Sequence, residues 1–128
     1  MTSVVLDASA VIALIRDEPG ADRVAKHLGN AIISAVNFQE VVKALLLRGF
    51  GIGVIREMLD TLRLDVRPHD AEAAYASAQL VEQTARYGRG LGDRTCMALG
   101  IALECPVLTA DREWCNITVD GLVIELTR

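Results

Sequence analysis

The sequence predicts an α/β fold, a three-layer α/β/α sandwich around a parallel sheet of four or five short strands. Two observations carry that prediction. Short apolar runs without alternation, Val4-Val5-Leu6, Ala31-Ile32-Ile33 and Val107-Leu108, read as strands buried on both faces. Between them lie longer stretches whose apolar residues recur at helical spacing. Strands separated by helices form βαβ units, whose right-handed crossovers cover both faces of a parallel sheet. A chain of 128 residues suits one domain with one closed core, so residues 1–128 are expected to be a single unit.

Each element has a local signature. The first run ends at Asp7, and Ala10, Val11, Ala13 and Leu14 begin a short helix at once. Arg16-Asp17-Glu18-Pro19-Gly20 closes it as a polar turn. Ala21 to Leu28 reads as a small amphipathic helix with Val24, Ala25 and Leu28 inward, stopped by Gly29-Asn30. After the strand Ala31–Ser34, Ser34 can cap a helix with an inward stripe of Phe38, Val41, Val42, Leu45 and Leu46 that ends at Gly49. Ile52 to Leu62 is another helix, with Val54, Ile55, Met58, Leu59 and Leu62 apolar. Leu64 to Arg67 alternates like an edge strand and stops at Pro68. An alanine-rich helix is expected from Asp70 to Tyr87, then a flexible loop from Tyr87 to Gly92. Asp93 opens a helix to Glu104, and Pro106–Thr109 forms the next buried strand. A turn around Trp114 leads to a last β segment, Ile117–Val119, with a further apolar run at Leu122–Ile124.

Composition narrows the function. The apolar fraction of 52% is high for a soluble domain and hints at a face covered by a second copy or a partner. A net charge of −4 lacks the basic footprint of most nucleic-acid binders, although bound divalent cations would reverse the local sign. Cys96, Cys105 and Cys115 form neither a disulfide framework nor a zinc motif and fit reduced cytosolic thiols. The start of the chain has no signal-peptide pattern, and the run from Cys96 to Leu103 is too short to span a membrane. A soluble cytoplasmic protein is expected.

Acids gather where the chemistry of this fold class sits. Ligands of open parallel sheets collect at the carboxyl ends of the strands. Asp7 and Asp111 follow strands there, Asp93 opens the helix before the last buried strand, and Glu40 lies about two turns into the helix after the second. Each Asp taken alone is also a favoured helix cap, and Glu40 alone is an ordinary solvated helix residue. Capping does not explain why acids, rather than Ser or Thr, recur along one rim. Clustered carboxylates repel, and a bound cation removes the conflict. Oxygen donors without nearby His or Cys favour Mg²⁺ or Mn²⁺ over zinc, which suits phosphoryl chemistry.

Four stretches carry a resemblance. Val5-Leu6-Asp7-Ala8-Ser9-Ala10, Ile33 to Val41, Leu91 to Leu99, and Val107 to Trp114 together resemble the PIN-domain ribonucleases, in particular the VapC-type toxins of toxin–antitoxin pairs. The likeness covers essentially the whole chain in order and spacing. It implies a PIN-like fold and a Mg²⁺- or Mn²⁺-dependent endoribonuclease, usually a homodimer, held inactive by a cognate antitoxin. It matches Asp7, Glu40, Asp93 and Asp111 to the family's acidic quartet, and Ser9 and Thr109 to small hydroxyl residues beside it. By that resemblance Asp7 and Asp93 are the most direct metal ligands, Asp111 acts directly or through water, and Glu40 holds a metal-bound water or orients the attacking one. The antitoxin is expected to place apolar side chains in a groove by the first helices and a basic residue in the acidic pocket.

The remaining candidates are weaker. Arg86, Arg89, Arg94 and Arg112 flank the expected crevice and are either phosphate contacts or solvated surface residues. His27 and His69 lack a ligand partner, Trp114 reads as a packing anchor, and Asp120-Gly121 reads as a turn. The alternative reading is a non-catalytic interaction or regulatory module with an acidic Mg²⁺ pocket. A receiver-like version needs an acceptor Asp after a middle strand and a Lys after a late one, which Ser34 and the region after Thr109 do not supply.

Overall fold

Val4, Val5 and Leu6 form the central strand β1 (Val4–Leu6), and all three are buried because helices cover both sides of it. The computed structural model describes residues 2–128. The remaining elements are α1 (Ala8–Ile15), α2 (Ala21–Ala25), β2 (Ala31–Ser34), α3 (Ala35–Leu47), α4 (Ile52–Leu62), β3 (Asp65–Arg67), α5 (Ala71–Ala78), α6 (Leu91–Leu103), β4 (Val107–Thr109) and β5 (Ile124–Leu126), with a 3₁₀ turn at Arg112–Asn116. The five strands run in the order β3-β2-β1-β4-β5 and every pairing is parallel. The expected parallel α/β/α sandwich is the observed architecture.

Side chains that alternate along the strands divide the core into two layers. Val4, Leu6, Ile33 and Leu108 pack against Val11, Val24, Val41, Leu45, Ile55 and Leu59 of α1 to α4. Val5, Ile32 and Val107 face the other way, toward Cys96, Met97, Trp114 and Ile117. Both layers are apolar, and polar residues enter the central strands only at their carboxyl ends, as Ser34 and Thr109. That explains the runs without alternation.

Strand order also locates the crevice. The chain steps from β1 outward through β2 to β3, then returns to place β4 and β5 on the opposite side of β1. The reversal between β1 and β4 is the topological switch point, where the connecting loops diverge and leave a cleft at the carboxyl edge.

Four local expectations change. The helix from Asp70 ends at Ala78 rather than Tyr87. Leu80 N and Val81 N bond three residues back, so tight turns replace the regular ladder, and the hydroxyls of Ser77 and Thr84 add bonds to Ala73 O and Leu80 O. The second helix stops at Ala25. The last strand is Ile124–Leu126, whereas Ile117 is a core residue just after the 3₁₀ turn. Leu46 and Ala25, expected inward, are exposed, Leu46 at 47%. Trp114 is fully buried as a packing anchor, and Asp120-Gly121 lies in a turn, with Gly121 at φ +83°. Cys96 is buried, Cys105 half-buried and Cys115 exposed, all three as free thiols. No helix among the described residues is long and apolar enough to cross a membrane.

The C-terminal tail is tied back to the first layer. Gly20 has φ +97°, and a Cβ there would overlap the backbone carbonyl of Thr127. Gly20→Ala adds both left-handed strain and a backbone clash. It should destabilise the protein by about 2 kcal/mol or more in urea unfolding, with an unchanged slope.

Candidate functional site

Asp7 follows β1 and Asp111 follows β4, so the two carboxylates stand on either side of the switch point. Asp7 is only 6% exposed. Its Oδ1 accepts hydrogen bonds from Ser9 Oγ at 2.7 Å and from Ala10 N at 2.9 Å, the latter capping α1. Its Oδ2 accepts from Thr109 Oγ1 at 2.5 Å. The two hydroxyls also bind the other rim: Ser9 Oγ accepts from Ala110 N and Thr109 Oγ1 from Asp111 N, each at 3.0 Å. Each hydroxyl thus commits its proton to Asp7 and its lone pair to the β4 loop. Ser9 and Thr109 stitch the two sides of the cleft through one carboxylate.

Asp93 is half-buried in the first turn of α6. It is the third residue of that helix rather than its cap, because Gly90 takes the cap position. The Asp93 carboxylate reaches back to accept from Gly90 N at 3.2 Å. Asp111 is exposed, caps the 3₁₀ turn and accepts from Glu113 N at 3.0 Å. Glu40 is exposed on α3, and its Oε1 accepts from Asn37 Nδ2 at 2.8 Å. Asn37 is 1% exposed and its Nδ2 also donates to Gly92 O at 3.0 Å, across to α6. A Cβ on Gly92 would overlap the Glu40 carboxylate, so the absence of a side chain there admits it.

Asp93 is coupled electrostatically to each of the other three acids. Burial pushes Asp7 up to about 6; hydrogen bonds from Thr109, Ser9 and Ala10 oppose that shift, and the charge of Asp93 adds to it. Burial also raises Asp93, as do Glu40 and Asp111, against the lowering effects of the Gly90 amide and Arg94. The Cys96 thiol is driven well up by burial first, then by the charges of Asp7, Asp93 and Glu40. Among the described residues the ion pairs are Arg16–Glu18 and Arg67–Asp65, neither of which involves these acids.

Contact geometry is more open than the electrostatics. Among the described residues, no three His, Cys, Asp or Glu side chains are grouped closely enough to hold an ion as they are oriented. Each of the three aspartates also keeps a bond to a nearby backbone amide. Charge–charge influence reaches well beyond the 2.0–2.6 Å range of Mg²⁺ and Ca²⁺ coordination, so the two observations are compatible. The donor set itself fits a hard divalent cation. It offers carboxylates and hydroxyls, an uncompensated negative charge, and no histidine.

The flanking residues sort themselves. Arg94 Nη1 donates to Arg89 O at 2.5 Å and is the arginine whose charge acts on Asp93. Arg86 lies 5.6 Å from the Tyr87 ring centre, and Arg112 donates to Arg128 O at 2.9 Å. His27 and His69 are half-buried, and neither joins the acids. A groove of about 410 Å³ beside the acids is lined by Gln39, Glu40, Lys43 and residues 90–93. A larger cavity of about 470 Å³ between α5 and α6 contains none of the four acids. Sequence reasoning puts Asn37 on the flank of α3 that carries Glu40, but gives it no role and misses Gly92. The available signal was the three-residue spacing of Asn37 and Glu40 on one helix face.

Asp7 makes a stability prediction. A carboxyl that ordinarily titrates at 3.8 and in the folded chain at about 6 holds its proton more tightly when folded. Its contribution therefore favours folding at low pH and is lost as pH rises between those two values, by up to about 3 kcal/mol. In metal-free protein, Asp7→Asn should melt above wild type at pH 7.5, and the gap should close as pH falls through 6 toward 4. Thermal melts across that range, with EDTA present, check it.

Comparison with known proteins agrees with this architecture. The PIN domain family model matches residues 4–119. No curated protein matches the chain in sequence. Among solved structures, a chain of VapBC2 from Rickettsia felis, bound to a promoter DNA fragment, superposes with a TM-score of 0.74 at 17% identity, covering 98% of each chain. A toxin–antitoxin complex from Klebsiella pneumoniae gives 0.73 at 17% identity, over 94% of this chain and 96% of that one. VapBC-1 from nontypeable Haemophilus influenzae gives 0.71 at 20%, over 98% of each. At such identities the superpositions establish the fold, while the family model spans nearly the whole chain. The chain belongs to the PIN domain family.

Proposed function

We propose that residues 1–128 act as a single nuclease domain, a Mg²⁺- or Mn²⁺-dependent endoribonuclease that serves as the cytoplasmic toxin of a toxin–antitoxin pair. One observation carries the reading: Asp7, Glu40, Asp93 and Asp111 come from four separate segments, are coupled electrostatically through Asp93, and form no ion pair with a basic side chain among the described residues. Unpaired, partly desolvated acids lower stability, and a site that keeps them needs a cation to balance them. Membership of the PIN family and the toxin–antitoxin complexes among the structural relatives support the same reading.

Asp7, Asp93 and Asp111 would hold the ion, with Glu40 beside it. A bound divalent cation supplies charge neutralisation and Lewis acidity for phosphodiester hydrolysis. Ser9 and Thr109 fix the Asp7 rotamer, so its carboxylate needs no search among rotamers. Glu40 is exposed and held at one oxygen, which suits it to orient a water and accept its proton. Water adds to phosphorus in line with the leaving O3′, which takes a proton, leaving 5′-phosphate and 3′-hydroxyl ends. Lys43 lines the groove with Glu40 and Asp93 and would meet a neighbouring RNA phosphate.

Exposed apolar residues support a protein partner. Leu46, Leu47, Phe50, Ile52 and Val54 are 42–78% exposed around the α3–α4 junction. An apolar groove there is lined by Phe38, Val42, Ile55 and Leu59. That surface offers a seat for an antitoxin in addition to a groove by the first helices. A homodimer belongs to the same proposal.

The amide bonds of the three aspartates favour a second reading, a non-catalytic module in which these acids serve as caps. Incubation with a mixed RNA pool separates the two. Cleavage should be abolished by EDTA and restored by Mn²⁺. Asp7→Asn and Asp93→Asn should each lose more than the roughly 10–100-fold that removal of an outer-shell partner costs. Intact RNA at every Mn²⁺ concentration would leave the non-catalytic module standing.

A further inference from the structure

We infer that Asn37 is a positioning residue for Glu40, and that Asn37 and Gly92 form a two-sided clamp seating the Glu40 carboxylate on the first turn of α6. The inference rests on the nuclease reading for its purpose, though the clamp itself is a matter of contacts. Glu40 is exposed and has three rotatable side-chain bonds, so without a restraint it would sample many rotamers. Asn37 removes that freedom from one side. It lies one turn earlier on α3, is 1% exposed, and points one amide hydrogen at Glu40 Oε1 and the other at Gly92 O. Two acceptors determine which end of the amide faces them, because a flipped Asn37 would set its own oxygen against both.

Gly92 forms the other side. It is buried in α6, and any side chain there would occupy the space of the Glu40 carboxylate. The next residue is Asp93, so the clamp joins the two helices that deliver Glu40 and Asp93. Like charges do not stay adjacent without a restraint. Asn37 supplies an attraction to both helices and sets the separation of the two acids before any ion arrives. Such preorganisation is what an outer-shell residue contributes to a metal site.

Three measurements on the full chain test this. In metal-free, ¹⁵N-labelled protein, the Asn37 side-chain amide protons should exchange with water at least about tenfold more slowly than those of exposed Asn116, because two bonds hold them. One of the two should lose that protection in Glu40→Ala. By electron paramagnetic resonance, Asn37→Ala should weaken Mn²⁺ binding about tenfold, and the loss should vanish in a Glu40→Gln background. Gly92→Ala should show the same loss and the same masking; its melting temperature separates a displaced Glu40 from a misfolded chain. Equal losses with and without Glu40 would make Asn37 merely structural and overturn the clamp. So would Asn37 amides that exchange as fast as Asn116, or a folded Gly92→Ala that binds Mn²⁺ like wild type. If wild type neither binds Mn²⁺ nor cuts RNA, the nuclease reading fails, and amide exchange alone still decides the clamp.

Discussion

A carboxylate buried without a cation governs the arrangement of this molecule. Asp7 ends the central strand, where flanking strands and helices leave little water to solvate it. Removing a charge from water is expensive unless donors replace the lost hydration. Ser9, Ala10 and Thr109 are those donors, and two of them also grip the loop after β4. The charge therefore holds the cleft together: without Asp7, the hydroxyl protons of Ser9 and Thr109 would have to find other acceptors. The same desolvation raises the Asp7 carboxyl, so its ionised form costs stability.

Much of the fold was legible because the central strands have no solvent face. Val4 to Leu6, Ile32 and Ile33, and Val107 and Leu108 must satisfy two apolar layers at once, which leaves a recognisable run. The region after Ala78 was misread for a physical reason. Its composition favours a helix, but the backbone tightens to bonds three residues back at Leu80 and Val81, and regular helix does not continue. Ile117 was misread because an apolar residue satisfies the core equally well from a strand or from a turn.

The site was partly legible. Asp7 and Asp111 follow strands, and the carboxyl edge of a parallel sheet is a fixed landmark. Asp93 has no such landmark of its own: one turn of helix places it beyond the cap, where its carboxylate bends back to Gly90. Glu40 owes its place to the approach of α3 to α6, which sequence spacing does not encode. Asn37 and Gly92 belong to that approach, so their roles emerged only when both helices were in view.

The borders of the sheet constrain how copies of this chain can associate. Its outermost strands, β3 and β5, are three residues long and carry Asp65, Arg67 and Glu125. Short, charged margins discourage strand addition from another molecule. A pair built from this protein would have to meet across helical surfaces, leaving two separate sheets and two separate clefts rather than one continuous ribbon.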